Sequence, residues 1–263
     1  MMSRSPLAEY VDTLQSRGRY TFVRDEALAA LGVSTAALKQ AAARLVDAGR
    51  LVSPRRGFYV IVPLEHRVAG APPPSWYIAD LLRHADVHGY IGLLSAAALY
   101  GAAHHAPQEY QVVVNRQLRH LTVGRSRFRF VYKRDTATTS ITHRKTDTGT
   151  MPVSTPEATA FDLVRYVEAA CGIDAVATVL ADLGEQIEPQ ALASAAVWVP
   201  RTVAQRVGWL LDRLGHGERT GPLHRTLAAS AWDVVDLQPG MACEAEPDPR
   251  WHVRANRDIE VDE

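Results

Sequence analysis

The stretch 44-RLVDAGRLVSPRRGFYVIVP-63 places two adjacent arginines and a glycine between two short β-prone runs, Arg50-Leu51-Val52 and Phe58-Tyr59-Val60-Ile61-Val62. The intervening 53-SPRRG-57 reads as the turn of a hairpin, with Gly57 to tighten it. Phe58 and Val60 then alternate back toward a core. Directly upstream lies an Ala-rich helical segment, 33-VSTAALKQAAARLVDAG-49, opened by Ser34 as N-cap and closed by Gly49. Its apolar face is Leu38, Ala41, Ala42, Leu45 and Val46. The opposite face presents Thr35, Ala36, Lys39, Gln40 and Ala43, with Arg44 at its margin.

Two further helices precede it. Pro6 to Gln15 places Leu7, Tyr10, Val11 and Leu14 on one face, and 23-VRDEALAALG-32 has acids in its first turn and stops at Gly32. Only a few residues around Gly32-Val33-Ser34 separate the second and third helices, which is the spacing of a helix-turn-helix. A β-hairpin after the recognition helix is a wing, and guanidinium forks at its tip suit phosphate oxygens or the adjacent minor groove. Each feature alone has a plainer explanation: an Ala-rich helix is commonly just packed, and Arg-Arg in a turn is commonly solvated. Their order within about sixty residues makes a winged helix-turn-helix over residues 1–68, with Ser34, Thr35, Lys39, Gln40, Arg44, Arg55 and Arg56 as candidate DNA contacts.

The remainder is expected to form a larger mixed α/β domain over residues 76–263, reached through the stiff proline-rich linker 69-AGAPPPS-75, for an α+β protein overall. Ser75 is placed to cap a helix over 76-WYIADLLRH-84, and a small helix follows at 95-SAAALYG-101. Strand candidates are 110-YQVVVN-115, 120-HLTVG-124 and 127-RFRFVY-132. The last, extended to Lys133, alternates Phe128, Phe130 and Tyr132 against Arg127, Arg129, Val131 and Lys133, as a half-buried edge strand with a basic outer face would. The same interleaving occurs in single-stranded nucleic-acid platforms. After residue 155 the pattern is mostly helical, over 156–170, 173–184, 189–196, 201–214 and 221–229, with a last strand near Trp251-His252-Val253.

Charge is unevenly distributed in a chain whose net charge is zero. Residues 1–67 hold ten Lys/Arg against six Asp/Glu and residues 68–150 ten against five, whereas residues 151–263 hold nine against eighteen. A basic front points to a polyanion and an acidic rear to a different task. Arginine supplies nearly all the positive charge, and with the alanine content this also fits a GC-rich genome, so the arginine count alone says little about phosphate. The N-terminus lacks the apolar core of a secretory signal and no apolar run is long enough to span a membrane, so a cytoplasmic location is expected. Cys171 and Cys243 are isolated and suit a reducing compartment.

No catalytic centre is legible, and no cofactor or metal is expected. His84 and His88 lie four apart, but no Glu follows His84 as HExxH requires; His104-His105 has no cysteine or carboxylate spacing around it. A restriction-type nuclease needs an acid two residues before a lysine, and Ala37, Val131 and His143 occupy those positions. Phosphate-loop, dinucleotide and GxSxG motifs are absent. The run 154-STPEATAFDL-163 is read as a helix start, with Thr155 as N-cap and Pro156 at the first helical position.

With those residues in hand, the chain resembles the AbiEi family of antitoxins and transcriptional regulators, the antitoxin half of AbiE-type (type IV) toxin–antitoxin operons linked to phage abortive infection. The resemblance rests on 49-GRLVSPRRGFYVIVP-63, 95-SAAALYG-101, 110-YQVVVN-115, 153-VSTPEATAFDLVRY-166 and 251-WHVRAN-256, in that order. It implies a partner toxin of nucleotidyltransferase fold, with which a stable complex is not required. It also implies repression of the shared operon by cooperative binding to inverted repeats in operator DNA. DNA binding would lie in the winged helix, reaching Ser34, Lys39, Gln40, Arg44, Arg55 and Arg56, and antitoxin activity mainly in the C-terminal domain. No motif marks a toxin-neutralising residue. The alternative is a stand-alone winged-helix transcription factor whose larger domain senses a small ligand.

Overall fold

A computed structural model describes residues 5–103, 107–241 and 244–261; His104, His105 and Cys243 lie outside the described residues. Helix α1 (Pro6–Ser16) buries Leu7, Val11 and Leu14. Strand β1 (Thr21–Val23) leads into α2 (Arg24–Leu31), which ends at Gly32 with φ 62°, a left-handed conformation that glycine adopts without a Cβ clash. Helix α3 (Thr35–Asp47) starts on Ser34, whose hydroxyl accepts from the Ala37 amide at 3.2 Å. Strands β2 (Leu51–Arg55) and β3 (Phe58–Ile61) form the hairpin, and β1 joins the other side of β3 in the order β1-β3-β2.

The alternation of β3 sets two cores side by side. Ile61 packs with Leu7, Val11, Phe22, Leu38 and Leu45 in the helical unit. Phe58 and Val60 point the other way, into a cluster with Tyr77, Ile78, Leu81, Phe128 and Phe130 from the second half of the chain. Residues 69–75 are docked onto that half: the Arg125 amide donates to the Ala69 carbonyl at 2.9 Å, Ala71 is buried, and Gly70 lies so close to Gly124 that neither has room for a side chain.

The second half opens with α4 (Ile78–His84), β4 (Gly89–Ile91) and α5 (Leu93–Leu99). It continues through β5 (Tyr110–Val114), β6 (Leu121–Val123), β7 (Ser126–Tyr132), β8 (Ile141–Thr146) and β9 (Gly149–Ser154). The strands make one mixed sheet in the order β6-β7-β5-β4-β9-β8, with β5–β7 and β4–β9 parallel. Helices α6 (Pro156–Arg165), α7 (Ile173–Leu183), α8 (Pro189–Ala196), α9 (Arg201–Arg213) and α10 (Gly221–Ala228) bury a common core against it. The chain returns through β10 (Val235–Asp236) and β11 (Val253–Arg254), a parallel pair beside α9. Trp251 is fully buried there over Gly208, where a Cβ would collide with the indole.

The winged-helix and α+β expectations hold, as does the helix start at 154–163: the Thr155 hydroxyl accepts from the Ala158 amide and Pro156 sits in the first turn. Several local expectations do not. Ser75 caps no helix; the prolines favour a 3-10 turn at Pro74–Trp76, and α4 begins only at Ile78. That helix ends at His84, so His88 is not on its face. Strand β7 is interior, because β6 pairs outside it, and Lys133 is buried instead of lying on a basic outer face. Tyr132 is exposed at the strand's end while Phe128 and Phe130 are buried. Val46, assigned to the apolar face of α3, is 40 % exposed. Helix α6 stops five residues short of residue 170, in a turn where Cys171 and Gly172 both have positive φ.

Candidate nucleic-acid interface

Helix α3 and the β2–β3 hairpin carry the sequence-derived candidates. Helix α3 packs through Leu38, Ala42 and Leu45, which leaves Thr35, Lys39, Gln40 and Arg44 on the opposite, exposed side. Their side chains make no hydrogen bond or ion pair among the described residues, so this face is rigidly held but chemically uncommitted. Ser34 is exposed too, with its oxygen engaged as the cap. The face offers one hydroxyl, one carboxamide and two cations at helical spacing, the side-chain chemistry that hydrogen-bonds base edges and phosphates.

The two helices against which α3 packs are clamped to each other. Arg19 grips Glu26 of α2 through both guanidinium ends at 2.5 Å, and the Tyr10 hydroxyl of α1 donates to the same carboxylate at 3.0 Å. Burial alone would raise the Glu26 pKa, but the hydrogen bonds from Arg19 and Tyr10 outweigh it and hold the carboxyl below its ordinary range. Tyr10 is pushed up to about 12 by burial and then by its bond to Glu26.

The hairpin departs from a simple protruding wing. Its register shifts between Val52 and Arg55, and Ser53 donates across the irregularity toward the Arg55 and Phe58 carbonyls, each at 3.0 Å. The turn is reduced to Arg56 and Gly57, the latter at φ 80°. Arg56 is exposed. Arg55 instead folds onto the sheet, with its guanidinium 5.7 Å from the Phe130 ring centre. Its Nε and Nη2 are buried without a hydrogen-bond partner among the described residues. Burial, followed by the nearby Arg116 charge, lowers the Arg55 pKa. The other side of the tip rests on α4: His84 stacks on Phe58 with centroids 5.3 Å apart, and its Nε2 lies 3.1 Å from the Arg56 carbonyl. The two wing arginines, equivalent in the sequence, are therefore in different environments. Sequence reasoning missed that the wing abuts the sheet.

Two further features lie apart from this face. Lys133 Nζ donates to Asp162 Oδ1 at 2.8 Å and to the Tyr90 hydroxyl at 3.1 Å, and that hydroxyl donates to Asp162 Oδ2 at 2.6 Å. This buried network links β4 and α6 to the residue that follows β7. A cavity of about 150 Å³ lies between α6, α9 and the C-terminal return, walled by Val164, Ile173, Val203 and Leu237 with Arg165 and Arg206 at its edge. Among the described residues no cluster of three or more His, Cys, Asp or Glu is placed to hold a metal, and no helix is long and apolar enough to cross a membrane.

Comparison with known proteins agrees with the architecture. Residues 9–62 match a family model described as "Transcriptional regulator, AbiEi antitoxin", and residues 90–213 match one described as "AbiEi antitoxin C-terminal domain". The crystal structure of the RV2827C protein from Mycobacterium tuberculosis superimposes with a TM-score of 0.65 at 18 % identity, covering 95 % of this chain and 92 % of that one. At that identity the likeness establishes the fold alone. No match was found among curated proteins.

Proposed function

This chain belongs to the AbiEi family of antitoxins and transcriptional regulators, and from that premise we propose that it binds operator DNA through residues 1–68, represses its own operon, and counteracts a nucleotidyltransferase-fold toxin through residues 76–263. The carrying observation is the outer face of α3, where Thr35, Lys39, Gln40 and Arg44 are exposed and without intramolecular partners among the described residues, next to a hairpin tipped by Arg56. Side chains of this kind, with helical φ/ψ already fixed, lose only rotamer freedom on entering a major groove. A single winged helix reads few base pairs, so recognition requires two copies on repeated half-sites. Lys39→Ala/Arg44→Ala is expected to abolish preference for the chain's own upstream duplex over a scrambled one while leaving the melting temperature unchanged. In cells, co-expression of the native chain is expected to restore growth arrested by the neighbouring toxin gene. Equal, weak binding of both duplexes by the native protein would overturn the repressor role; failure of rescue would overturn the antitoxin role.

A second reading, a stand-alone regulator that senses a ligand, has one observation in its favour: the cavity beside Arg206, a half-buried guanidinium whose Nε donates to the Asp236 carbonyl at 2.8 Å. A genome without a nucleotidyltransferase gene beside this one favours that reading, and its presence favours the antitoxin.

A further inference from the structure

Five arginines in or beside the helical unit are matched by carboxylates of their own. Arg19 meets Glu26, Arg24 meets Asp25, Arg50 meets Asp12, Arg83 meets Asp80 and Arg129 meets Glu109. The junction of wing and sheet differs from these five. There Arg55, Arg56, Arg116 and Arg119 have no ion pair among the described residues. Arg55 lies over Phe130, the Phe130 amide donates to His120 Nδ1 at 3.1 Å, and Arg119 precedes His120 in the β5–β6 loop. Arg116, in the same loop, is close enough to Arg55 to disfavour its charge. It is held by a bond to the Ala85 carbonyl, not by a carboxylate. The tip itself is fixed to α4 through His84, so loop and wing keep their relative placement.

Like charges gathered without counter-charges repel one another and cost free energy in the free protein, and an anion that binds across them removes that cost. An exposed wing arginine with two exposed arginines on the adjoining loop suits a polymer of phosphates better than one small anion. We propose that Arg116 and Arg119 bind backbone phosphates of the same duplex that α3 and the wing engage, so that the nucleic-acid face continues from the winged helix onto the sheet of the second half. This inference rests on the DNA-binding reading above. It assigns to the basic residues 68–150 a task that the winged helix alone does not explain.

The experiment measures affinity of the full chain for its own upstream duplex and a scrambled duplex across a salt series. Native protein is run beside Arg116→Gln/Arg119→Gln, Arg119→Gln alone, and Lys39→Ala/Arg44→Ala. Each phosphate that is no longer neutralised flattens the slope of log affinity on log salt by about 0.9, so the loop pair is expected to flatten it by about 1.8 and Arg119→Gln by about 0.9. Preference for the native duplex is expected to be unchanged, because phosphate contacts do not read sequence. Arg119 makes no bond among the described residues, so its replacement tests the contact without disturbing the fold. Slopes for both loop variants that overlay the native one, while the α3 variant loses binding, would overturn this inference and leave the DNA reading intact. An unchanged slope with loss of self-association in sedimentation would also overturn it, identifying the acidic rear of a second copy as the occupant. Absence of binding by the native chain even at low salt would remove the DNA reading and this inference together.

Discussion

Lys133 and Asp162 place opposite charges where water scarcely reaches, their side chains 5 % and 0 % exposed. A buried pair of this kind adds little net stability over an apolar replacement, yet removing one partner strands the other, at a cost of about 3–5 kcal/mol. Lys133→Met and Asp162→Asn are each expected to lose about that much in denaturant unfolding, and the double substitution less than the sum. Additive losses would show that the two charges are independently solvated. Arg55 presents the reverse case. Its contact with Phe130 is worth about 0.5–1 kcal/mol, whereas each buried, unpaired donor costs about 1–3 kcal/mol. Arg55→Met keeps an unbranched side chain over the ring and removes both orphaned donors, so it is expected to raise the melting temperature while weakening DNA binding. A lower melting temperature would mean that the guanidinium has a partner that stabilises the wing.

Among the elements, the first three helices depend on a clamp that responds to pH. The Glu26 carboxyl is held below its ordinary range in the folded protein, so its contribution is complete above the unfolded glutamate value and is lost as pH falls through the depressed folded value. Glu26→Gln is therefore expected to lower the melting temperature at neutral pH, with the difference from the native protein closing on acidification. A difference that stays constant down to about pH 3 would rule out this linkage. Helices α1 and α3 were legible because apolar residues recur at spacings of three and four, and α2 because acids open it and Gly32 closes it, with Ser34 starting the next helix. Strands β1 and β4 were not; three residues give little period, although the equally short β6 was read as a strand. The β8–β9 hairpin was hidden by its position at a sheet edge, where Ile141, Thr142, His143 and Lys145 are all exposed and no apolar alternation forms. The burial of Lys133 depends on Asp162, 29 residues away, and so does not show in the local pattern of β7. The candidate face of α3 could be read from its own sequence. The different surroundings of Arg55 and Arg56 could not, because Phe130 and Arg116 come from another part of the chain.

At the scale of the whole molecule, the basic residues 1–150 and the acidic residues 151–263 carry net charges of +9 and −9 within a chain of zero net charge. On the proposed DNA-binding role, the front would attract DNA while the rear would limit how closely that DNA wraps, which suits short, phased contacts better than a continuous coat. If each protomer neutralises about five phosphates, the slope of log affinity on log salt is near −4.5 per protomer and about twice that for a pair on an inverted repeat. A duplex holding both half-sites is expected to bind two chains with a Hill coefficient above one. Cutting either half-site is expected to weaken binding at least about tenfold, since the remaining module buries too little surface for a typical specific affinity. Moving the half-sites apart by half a helical turn puts the second on the opposite side of the duplex, and is expected to weaken binding as much as deleting it. Gel shifts on the four duplexes check all of this. Equal affinity for the intact, halved and rephased sites would mean that one protomer suffices, and would remove cooperative binding to inverted repeats from the proposed repressor role.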